Sequence, residues 1–383
     1  MKKSIIITVL MLVCALLLPS CKDDEPAATE NVHRTILVYM VACNSLGSSG
    51  YDILDLDEMQ AAVNAGDLAG GRLLVFLAPN DGSSTLYEIT PQGKNVLKTY
   101  DTGDGLTPVH ATRMSQVIDD AKKYAPADSY GLVLWSHGLG WLQNGISDDY
   151  EPAISPQSWG EDRGRTMNIT SLRNALTGKG MDFIYFDCCY MASVEVAYEL
   201  RHVTPYIVAS AIELPSEGMP YDRNIAPLFK SGHADLVSAA RNTFDFYNSR
   251  TAEERTCAIS VIATAGLDRL ALAARDIYRA SSGQTPTAYQ PQRFMTESRC
   301  WFFDLADYYD ALSQNSDDGA TLKAAFDNAL EDCVLYAAST PKLWDHLDIS
   351  HHCGLSTYIL PDPDDPTIRN YNSLAWYSDV IAR

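Results

Sequence analysis

The sequence predicts an α/β fold with a mostly parallel sheet, helices on both of its faces, and mixed helical additions towards the C-terminus. Apolar runs of strand length alternate with segments of helical periodicity, which is typical of strands joined by crossover helices. Two runs, 131–138 (GLVLWSHG) and 182–191 (DFIYFDCCYM), end in polar, reactive residues. Sites in open parallel sheets form beyond the carboxyl ends of the strands, so these two ends are the predicted functional region.

The other elements follow from the same alternation. Besides the two runs above, buried strands are predicted at 35–42, 72–78, 205–210 and 257–263, with a small hairpin at 85–89 and 96–100. Helices are predicted at 52–64, 109–124, 168–176, 190–200, 234–247 and 267–280. The last hundred residues predict helices at 304–312, 322–338 and 375–382 and a strand at 354–360. No linker divides this region, so we predict one domain over 34–383.

The N-terminus has the features of an export signal. Basic Lys2 and Lys3 precede a short apolar run that ends at Pro19-Ser20-Cys21. The run is too short to span a bilayer as a helix. It resembles a bacterial lipoprotein signal, which implies a signal peptide over 1–20, lipidation of Cys21 and a linker over 21–33. The expected location is the outer membrane, held by the lipid anchor only, with cell-surface display left open.

The net charge and the cysteine content limit the classes of molecule that the protein is expected to bind. The net charge of −20 argues against nucleic acid and against adhesion to anionic membranes, because both need basic patches. Seven cysteines remain after Cys14 and Cys21, and an odd number leaves at least one thiol free in an exported protein. Their scattered positions predict neither a metal site nor a dense disulfide framework. We expect a monomer that acts on proteins or peptides.

A histidine and a cysteine end the two central runs. If those strands are neighbours, His137 and Cys189 face each other across one sheet edge as a base and its nucleophile. The predicted helix at 190–200 would place Cys189 at a helix N-terminus, where the dipole favours a thiolate. The N–H groups of Gly138 and Cys189 are the candidate oxyanion hole. A structural role for His137 is the alternative.

These motifs resemble the clostripain family of cysteine peptidases (peptidase family C11, clan CD), which has a caspase-like fold. The resemblance rests on SHG at 136–138 and on DCCYM at 187–191 with VEVAY at 194–198. It implies a dyad of His137 and Cys189 without an obligatory third member. The charged patch Lys22-Asp23-Asp24-Glu25 separately resembles the surface-export tether of Bacteroidetes-type lipoproteins, with a solvated linker as the alternative. Cys188 stands where the family usually has alanine, so Cys188 remains the alternative nucleophile.

The resemblance also implies specificity. Clostripain-like enzymes cleave after Arg or Lys by means of an acidic S1 pocket, and Asp187 matches the carboxylate at the pocket floor. Glu217 falls where the family often has a second acid. The alternatives are a strand-end cap for Asp187 and a solvated loop carboxylate for Glu217. Arg should be preferred over Lys, because its planar guanidinium binds a carboxylate bidentately.

The loop 141–166 is rich in Gly, Asp and Pro. The resemblance implies self-cleavage in such a loop, with a plain surface insertion as the alternative. Arg163 and Arg165 near its end are the candidate cleavage sites. The dyad requires no cofactor. Calcium is left open, because the loop is acidic but lacks EF-hand spacing. The acidic side chains concerned are Asp148, Asp149, Glu151, Glu161 and Asp162.

Two other functional classes are the alternatives to a cysteine peptidase. A serine hydrolase would need G-x-S-x-G on a strand-to-helix turn, and the sequence has no such motif. A non-catalytic surface lipoprotein with the same fold, binding a peptide or a glycan, is the second rival. An intact histidine and cysteine argue against that rival.

Overall fold

The computed structural model of the chain describes residues 31–101, 103–142, 158–286, 289–297, 300–360 and 368–382. The predicted signal peptide, Cys21, most of the linker and the central part of the loop 141–166 lie outside the described residues. None of the helices inside these ranges is both long enough and apolar enough to cross a bilayer.

A large sheet runs through the described part of the chain. The sheet contains β1 (Thr35–Val41), β2 (Arg72–Ala78), β3 (Ser84–Thr90), β4 (Gly93–Tyr100), β5 (Tyr130–Trp135), β8 (Phe183–Asp187), β9 (Tyr206–Ser210) and β10 (Ala258–Ala263). Between β5 and β8 along the chain, β6 (Trp159–Asp162) and β7 (Arg165–Met167) form a short hairpin outside this sheet. The ninth strand of the sheet is the edge strand β12 (Val334–Ser339). Four two-residue strands lie outside this sheet, namely β11 (Phe303–Asp304), β13 (Lys342–Leu343), β14 (Leu347–Asp348) and β15 (Ser356–Thr357).

The strand order of the large sheet is β12-β10-β9-β8-β5-β1-β2-β3-β4. The five central strands, from β9 to β2, are parallel. Both edges are antiparallel, with β3 and β4 on one side and β10 and β12 on the other. The predicted mostly parallel sheet is therefore confirmed. Its parallel part carries the two central runs on neighbouring strands, β5 and β8.

Helices cover both faces of the sheet. They are α1 (Ser45–Ser48), α2 (Tyr51–Ala65), α3 (Ala111–Tyr124), α4 (Ile169–Leu176), α5 (Val194–Glu199), α6 (Tyr221–Leu228), α7 (Leu236–Asn248), α8 (Leu267–Ala280), α9 (Leu305–Ser313), α10 (Gly319–Cys333) and α11 (Ile368–Tyr371). A single-turn π-helix spans Tyr377–Ile381.

Residues of β1 alternate between two cores, as expected for a strand that is buried on both faces. Leu37 and Tyr39 pack in the core that contains α3, α4 and α8. Ile36 and Val38 pack in the core that contains α2, α6 and α7. Burial on both sides explains why this run is apolar throughout and does not alternate with polar residues.

Two predicted C-terminal elements are wrong in extent. The helix predicted at 322–338 ends at Cys333, and Val334–Ser339 forms β12 instead. This segment pairs antiparallel with β10, for example Ala338 with Ile259, so a nonlocal sheet contact overrides a local helical pattern. The strand predicted at 354–360 is reduced to Ser356–Thr357.

Candidate active site

The site forms where β5 and β8 end side by side. The two strands are parallel, and Trp135 at the end of β5 lies opposite Asp187 at the end of β8. His137 and Cys189 follow these positions by two residues each, and both line one cleft. The structure therefore brings the predicted base and nucleophile to a single cavity at the carboxyl edge of the sheet.

The Cys189 thiol is held by the segment that follows β9. Its Sγ accepts a hydrogen bond from the Leu214 N–H at 3.4 Å. Burial, followed by the Glu213 carboxylate and then the Asp187 carboxylate, raises the pKa of the Cys189 thiol to about 12, and the hydrogen bond from the Leu214 N–H opposes this rise. The surroundings of the sulfur in the substrate-free site therefore favour the thiol over the thiolate.

The expected helix N-terminus at Cys189 is wrong. Helix α5 begins at Val194 and is capped by Ser193, whose hydroxyl accepts from the Val196 N–H. Tyr190 has a positive φ of 60°, a conformation that breaks a helix, and its N–H donates to Ile212. The helix dipole therefore does not act directly on the sulfur, because its effect is confined to the first turn.

Cys188 and Gly138 pack against each other beneath Cys189. Cys188 is buried, whereas Cys189 is half-exposed, although both border the cleft. A Cβ at Gly138 would lie 2.8 Å from the Cys189 carbonyl oxygen and 3.0 Å from the Cys188 sulfur, so only glycine fits there. Among the described residues, neither the Gly138 nor the Cys189 N–H has a hydrogen-bond acceptor.

His137 has two polar partners, and both contact the same ring nitrogen, Nε2. Ser45 Oγ lies 2.8 Å from His137 Nε2, and Glu161 Oε2 lies 3.8 Å from it. Burial lowers the pKa of His137, and the Glu161 carboxylate opposes that effect. Sequence reasoning did not assign either residue to the site. Ser45 follows the end of β1 closely, so the rule that predicted His137 and Cys189 could have found it.

Asp187 lines the cleft and is buried. Its carboxylate accepts hydrogen bonds from the Met219 N–H at 2.8 Å and from the Tyr221 hydroxyl at 2.9 Å. Burial raises its pKa to about 7, although both of these hydrogen bonds favour the ionised form. A Cβ at Gly218 would lie 2.6 Å from Asp187 Oδ1, so a glycine is needed where this turn crosses the carboxylate.

A second buried carboxylate, Asp55 of α2, interacts electrostatically with Asp187. Its Oδ2 accepts a hydrogen bond from Trp135 Nε1 at 2.5 Å. Burial raises the pKa of Asp55 well above its usual value, and the Asp187 carboxylate raises it further. The negative charge of Asp187 therefore opposes ionisation of Asp55.

The other predicted binding residue, Glu217, is half-exposed and is not among the residues that line the cleft. Glu213 lines it instead and was missed by sequence reasoning. The Glu213 carboxylate accepts a hydrogen bond from Trp344 Nε1 at 2.9 Å, and burial raises its pKa. Glu213 follows the end of β9, so its place at the same sheet edge was accessible to the strand-end rule.

The candidate self-cleavage sites lie in the β6–β7 hairpin. Arg163 occupies its two-residue turn with a positive φ of 49°, and its side chain is 66% exposed. The guanidinium donates to the Asn80 carbonyl oxygen at 2.8 Å. Arg165 is exposed at the start of β7. The segment 143–157, which contains Asp148, Asp149 and Glu151, lies outside the described residues.

No group of three or more His, Cys, Asp or Glu side chains in the described part of the chain is arranged to hold a metal ion. In the sequence HHC at 351–353, His351 is exposed and contacts Asp307 at 2.9 Å, whereas the ring of His352 is buried. The two adjacent histidines therefore occupy different environments.

A thiol and an imidazole line one cleft at the ends of adjacent parallel strands, and a cysteine peptidase requires both groups. The family model of the clostripain family, Peptidase_C11, matches residues 38–382, and the chain belongs to this family. No curated protein sequence matched the chain.

Two solved structures of this class resemble the chain over nearly its whole length. One is an inactive zymogen C11 protease from Parabacteroides distasonis, with 30% identity, a TM-score of 0.77, and coverage of 92% of this chain and 99% of that one. The other is a secreted C11 cysteine protease from Bacteroides thetaiotaomicron in complex with an irreversible peptide inhibitor. It has 27% identity, a TM-score of 0.77, and coverage of 92% of this chain and 100% of that one.

Proposed function

We propose that the protein is an endopeptidase in which Cys189 is the nucleophile and His137 is the general base. The observation that carries this proposal is their common cleft at the ends of β5 and β8. The sulfur attacks the carbonyl carbon of the scissile peptide while His137 takes the thiol proton. The same proton passes to the leaving amine when the C–N bond breaks, and water then hydrolyses the thioester. Because the thiol pKa is raised to about 12, proton transfer accompanies attack.

The oxyanion that forms during attack needs hydrogen-bond donors. We assign this role to the N–H groups of Gly138 and Cys189, neither of which has an acceptor among the described residues. Cys189 lines the cleft, and Gly138 directly follows His137, which also lines it. Each such donor in an acyl-transfer site contributes about 2.7–4 kcal/mol to transition-state stabilisation.

The substrates are proteins or peptides, and the proposed preference is for Arg at P1, with Lys weaker. The buried carboxylate of Asp187, which lines the cleft, supports this, because a desolvated carboxylate pairs strongly with a planar guanidinium. Loss of such a partner costs about 2–5 kcal/mol, since the substrate cation is then buried unpaired. Glu217 is proposed as a second, weaker acid, which would require the loop 215–218 to move.

Self-processing is proposed for the loop 141–166, in which Arg163 and Arg165 are the only basic residues. A peptidase whose P1 residue is Arg or Lys therefore has no other cleavage position in this loop. Peptides commonly bind to peptidases in an extended form, whereas Arg163 lies in a tight turn with a left-handed conformation. The hairpin must therefore open before cleavage, and self-processing should be slow.

Export is supported by the N-terminal signal and by the secreted relative from Bacteroides thetaiotaomicron. We propose lipidation at Cys21 and anchoring to the outer membrane by the lipid alone. Membrane fractionation of Cys21→Ala tests this. The variant should be released or should accumulate as a precursor, and normal membrane association would contradict lipidation.

Four variants and a P1 substrate series test the catalytic proposal. Cys189→Ala and His137→Ala should be inactive, whereas Cys188→Ala should keep most of the activity. Wild-type enzyme should cleave fluorogenic peptides after Arg, then Lys, and only weakly after Asp or Leu, and Asp187→Asn should lose the preference. If activity survives in Cys189→Ala but not in Cys188→Ala, the nucleophile is Cys188 and the proposed assignment to Cys189 is wrong. A preference for an acidic or apolar P1 residue would refute the pocket alone.

A further inference from the structure

Two side chains from different elements converge on one nitrogen of His137. Ser45 from α1 and Glu161 from β6 both lie near Nε2, at 2.8 Å and 3.8 Å. The Nδ1 atom has no hydrogen-bond partner within the described residues. The His137 side chain is 32% exposed, so packing alone does not fix the orientation of the ring. Two partners on Nε2 fix both the rotation of the ring and the identity of the proton-bearing nitrogen.

Ser45 is held in place by Asn44. The Asn44 side chain caps α1 by accepting hydrogen bonds from the N–H groups of Leu46 and Gly47. Its amide group donates to Ser136 Oγ and to the Glu161 carbonyl oxygen, both at 3.1 Å. Asn44 is buried, so one rigid side chain links the helix that carries Ser45 to the strand that carries Glu161.

Glu161 is held by hydrogen bonds between its own strand and the segment that carries His137. The Gly160 N–H donates to the His137 carbonyl oxygen at 2.9 Å, and the Glu161 N–H donates to Ser136 Oγ at 3.1 Å. Gly138 also forms a bridge with Trp159. The Glu161 carboxylate therefore comes from a strand that is paired directly with the residues on either side of the imidazole.

We propose that Ser45 and Glu161 are positioning residues that hold His137 with its proton on Nε2 and so make Nδ1 the atom that receives the thiol proton. This inference rests on the proposed function, in which His137 is the base. In the neutral ring the Nε2–H donates to Ser45. Nδ1 takes the proton from the Cys189 sulfur as the S–C bond forms, and it returns that proton to the leaving amine as the C–N bond breaks. Between these steps the imidazolium is stabilised by the Glu161 carboxylate.

The charge of Glu161 has a measurable consequence. Because burial lowers the pKa of His137 and Glu161 opposes this, removal of the carboxylate should lower the pKa further. Activity that requires neutral His137 rises as that group loses its proton, so the acid limb of the pH profile should move to lower pH. The other titratable groups on the cleft are Asp187, Cys188, Cys189 and Glu213, and the substitutions below leave them unchanged.

The test compares Glu161→Gln and Ser45→Ala with conservative and control variants in the full chain. Ser48→Ala is the matched control, because Ser48 belongs to the same short helix but donates to the Asn44 carbonyl oxygen and does not contact His137. Steady-state kinetics on a P1-Arg peptide should show that Glu161→Gln and Ser45→Ala each reduce kcat by roughly 10- to 100-fold with little change in KM, as for groups that orient a catalytic residue. Glu161→Asp and Ser45→Thr should recover part of the loss.

The outcomes separate this inference from the proposed function. An unchanged kcat and an unmoved acid limb in both Glu161→Gln and Ser45→Ala would overturn the positioning role, even with His137→Ala inactive. An active His137→Ala would instead refute the proposed base. If Glu161→Gln or Ser45→Ala does not fold, the absence of a thermal unfolding transition shows this. The kcat values and pH profiles of Glu161→Asp and Ser45→Thr then decide whether the two residues position His137. A loss of kcat that Ser48→Ala shares would also count against the inference, because the effect would not be specific to the His137 partners.

Discussion

The buried Asp187 carboxylate should destabilise the folded enzyme at alkaline pH. Burial raises its pKa from 3.8 to about 7, so the folded chain binds this proton more tightly than the unfolded chain does. Its contribution is therefore most favourable below pH 3.8 and becomes unfavourable as the pH rises from there through about 7. At about 1.4 kcal/mol for each tenfold change in proton affinity, the full penalty is about 4 kcal/mol.

Asp187→Asn removes that penalty and keeps a side chain of the same shape. Its amide oxygen can still accept from the Met219 N–H, and the Tyr221 hydroxyl can rotate to accept from the amide group. We expect the variant to be more stable than the parent, by an amount that grows by about 3 kcal/mol between about pH 5 and about pH 8. The same substitution should abolish the Arg preference, so binding and stability would change in opposite directions.

Thermal unfolding at the two pH values measures this, with Cys189→Ala present in every chain to prevent self-cleavage. The difference in Tm between Asp187→Asn and its parent should increase by several degrees from the lower to the higher pH. Asp222→Asn is the control, because it removes an exposed carboxylate one residue after Tyr221 in the first turn of α6. A Tm difference that is the same at both pH values, or that Asp222→Asn reproduces, would refute the reasoning.

Two further outcomes are expected. Glu213→Gln removes a carboxylate that raises the pKa of Cys189, so iodoacetamide should alkylate Cys189 faster at about pH 8 than in the parent, and an unchanged rate would contradict the assigned electrostatic effect. The double variant Arg163→Ala/Arg165→Ala should remain a single chain on denaturing gels after prolonged incubation, whereas the parent is cut in the loop. Cutting of that loop in the double variant would refute the assigned cleavage sites.

The sheet and the position of the site were predictable because each depends on short sequence patterns within single strands. A strand buried on both faces is a short apolar run, and the runs that end at Trp135 and Asp187 are both of this kind. Parallel pairing brings their carboxyl ends to one edge, so His137 and Cys189 were predicted on the same cleft from chain order alone. The same rule applied to β1 and β9 would have added Ser45 and Glu213.

The start of α5 was not predictable from its own residues, because nonlocal hydrogen bonds determine it. Segment 190–200 has helical periodicity, but the Ala192 N–H donates to Ser210, and the Ser356 N–H donates to Ala192. These contacts hold the first residues after Cys189 in a nonhelical conformation. The position of Glu161 beside His137 was also not predictable from the sequence, because it depends on the β6–β7 hairpin, which pairs with the residues that follow β5.

The proposed specificity pocket and the nucleophile are linked electrostatically. After burial and Glu213, the Asp187 carboxylate is a further cause of the raised pKa of Cys189. A guanidinium paired with Asp187 cancels that negative charge, so a basic P1 residue should lower the thiol pKa at the moment of attack. Ethylguanidinium, an analogue of the arginine side chain, should therefore accelerate alkylation of Cys189 by iodoacetamide in the wild type but not in Asp187→Asn. The uncharged analogue ethylurea should have no such effect. Equal alkylation rates with and without ethylguanidinium would show that substrate charge does not act on the thiol.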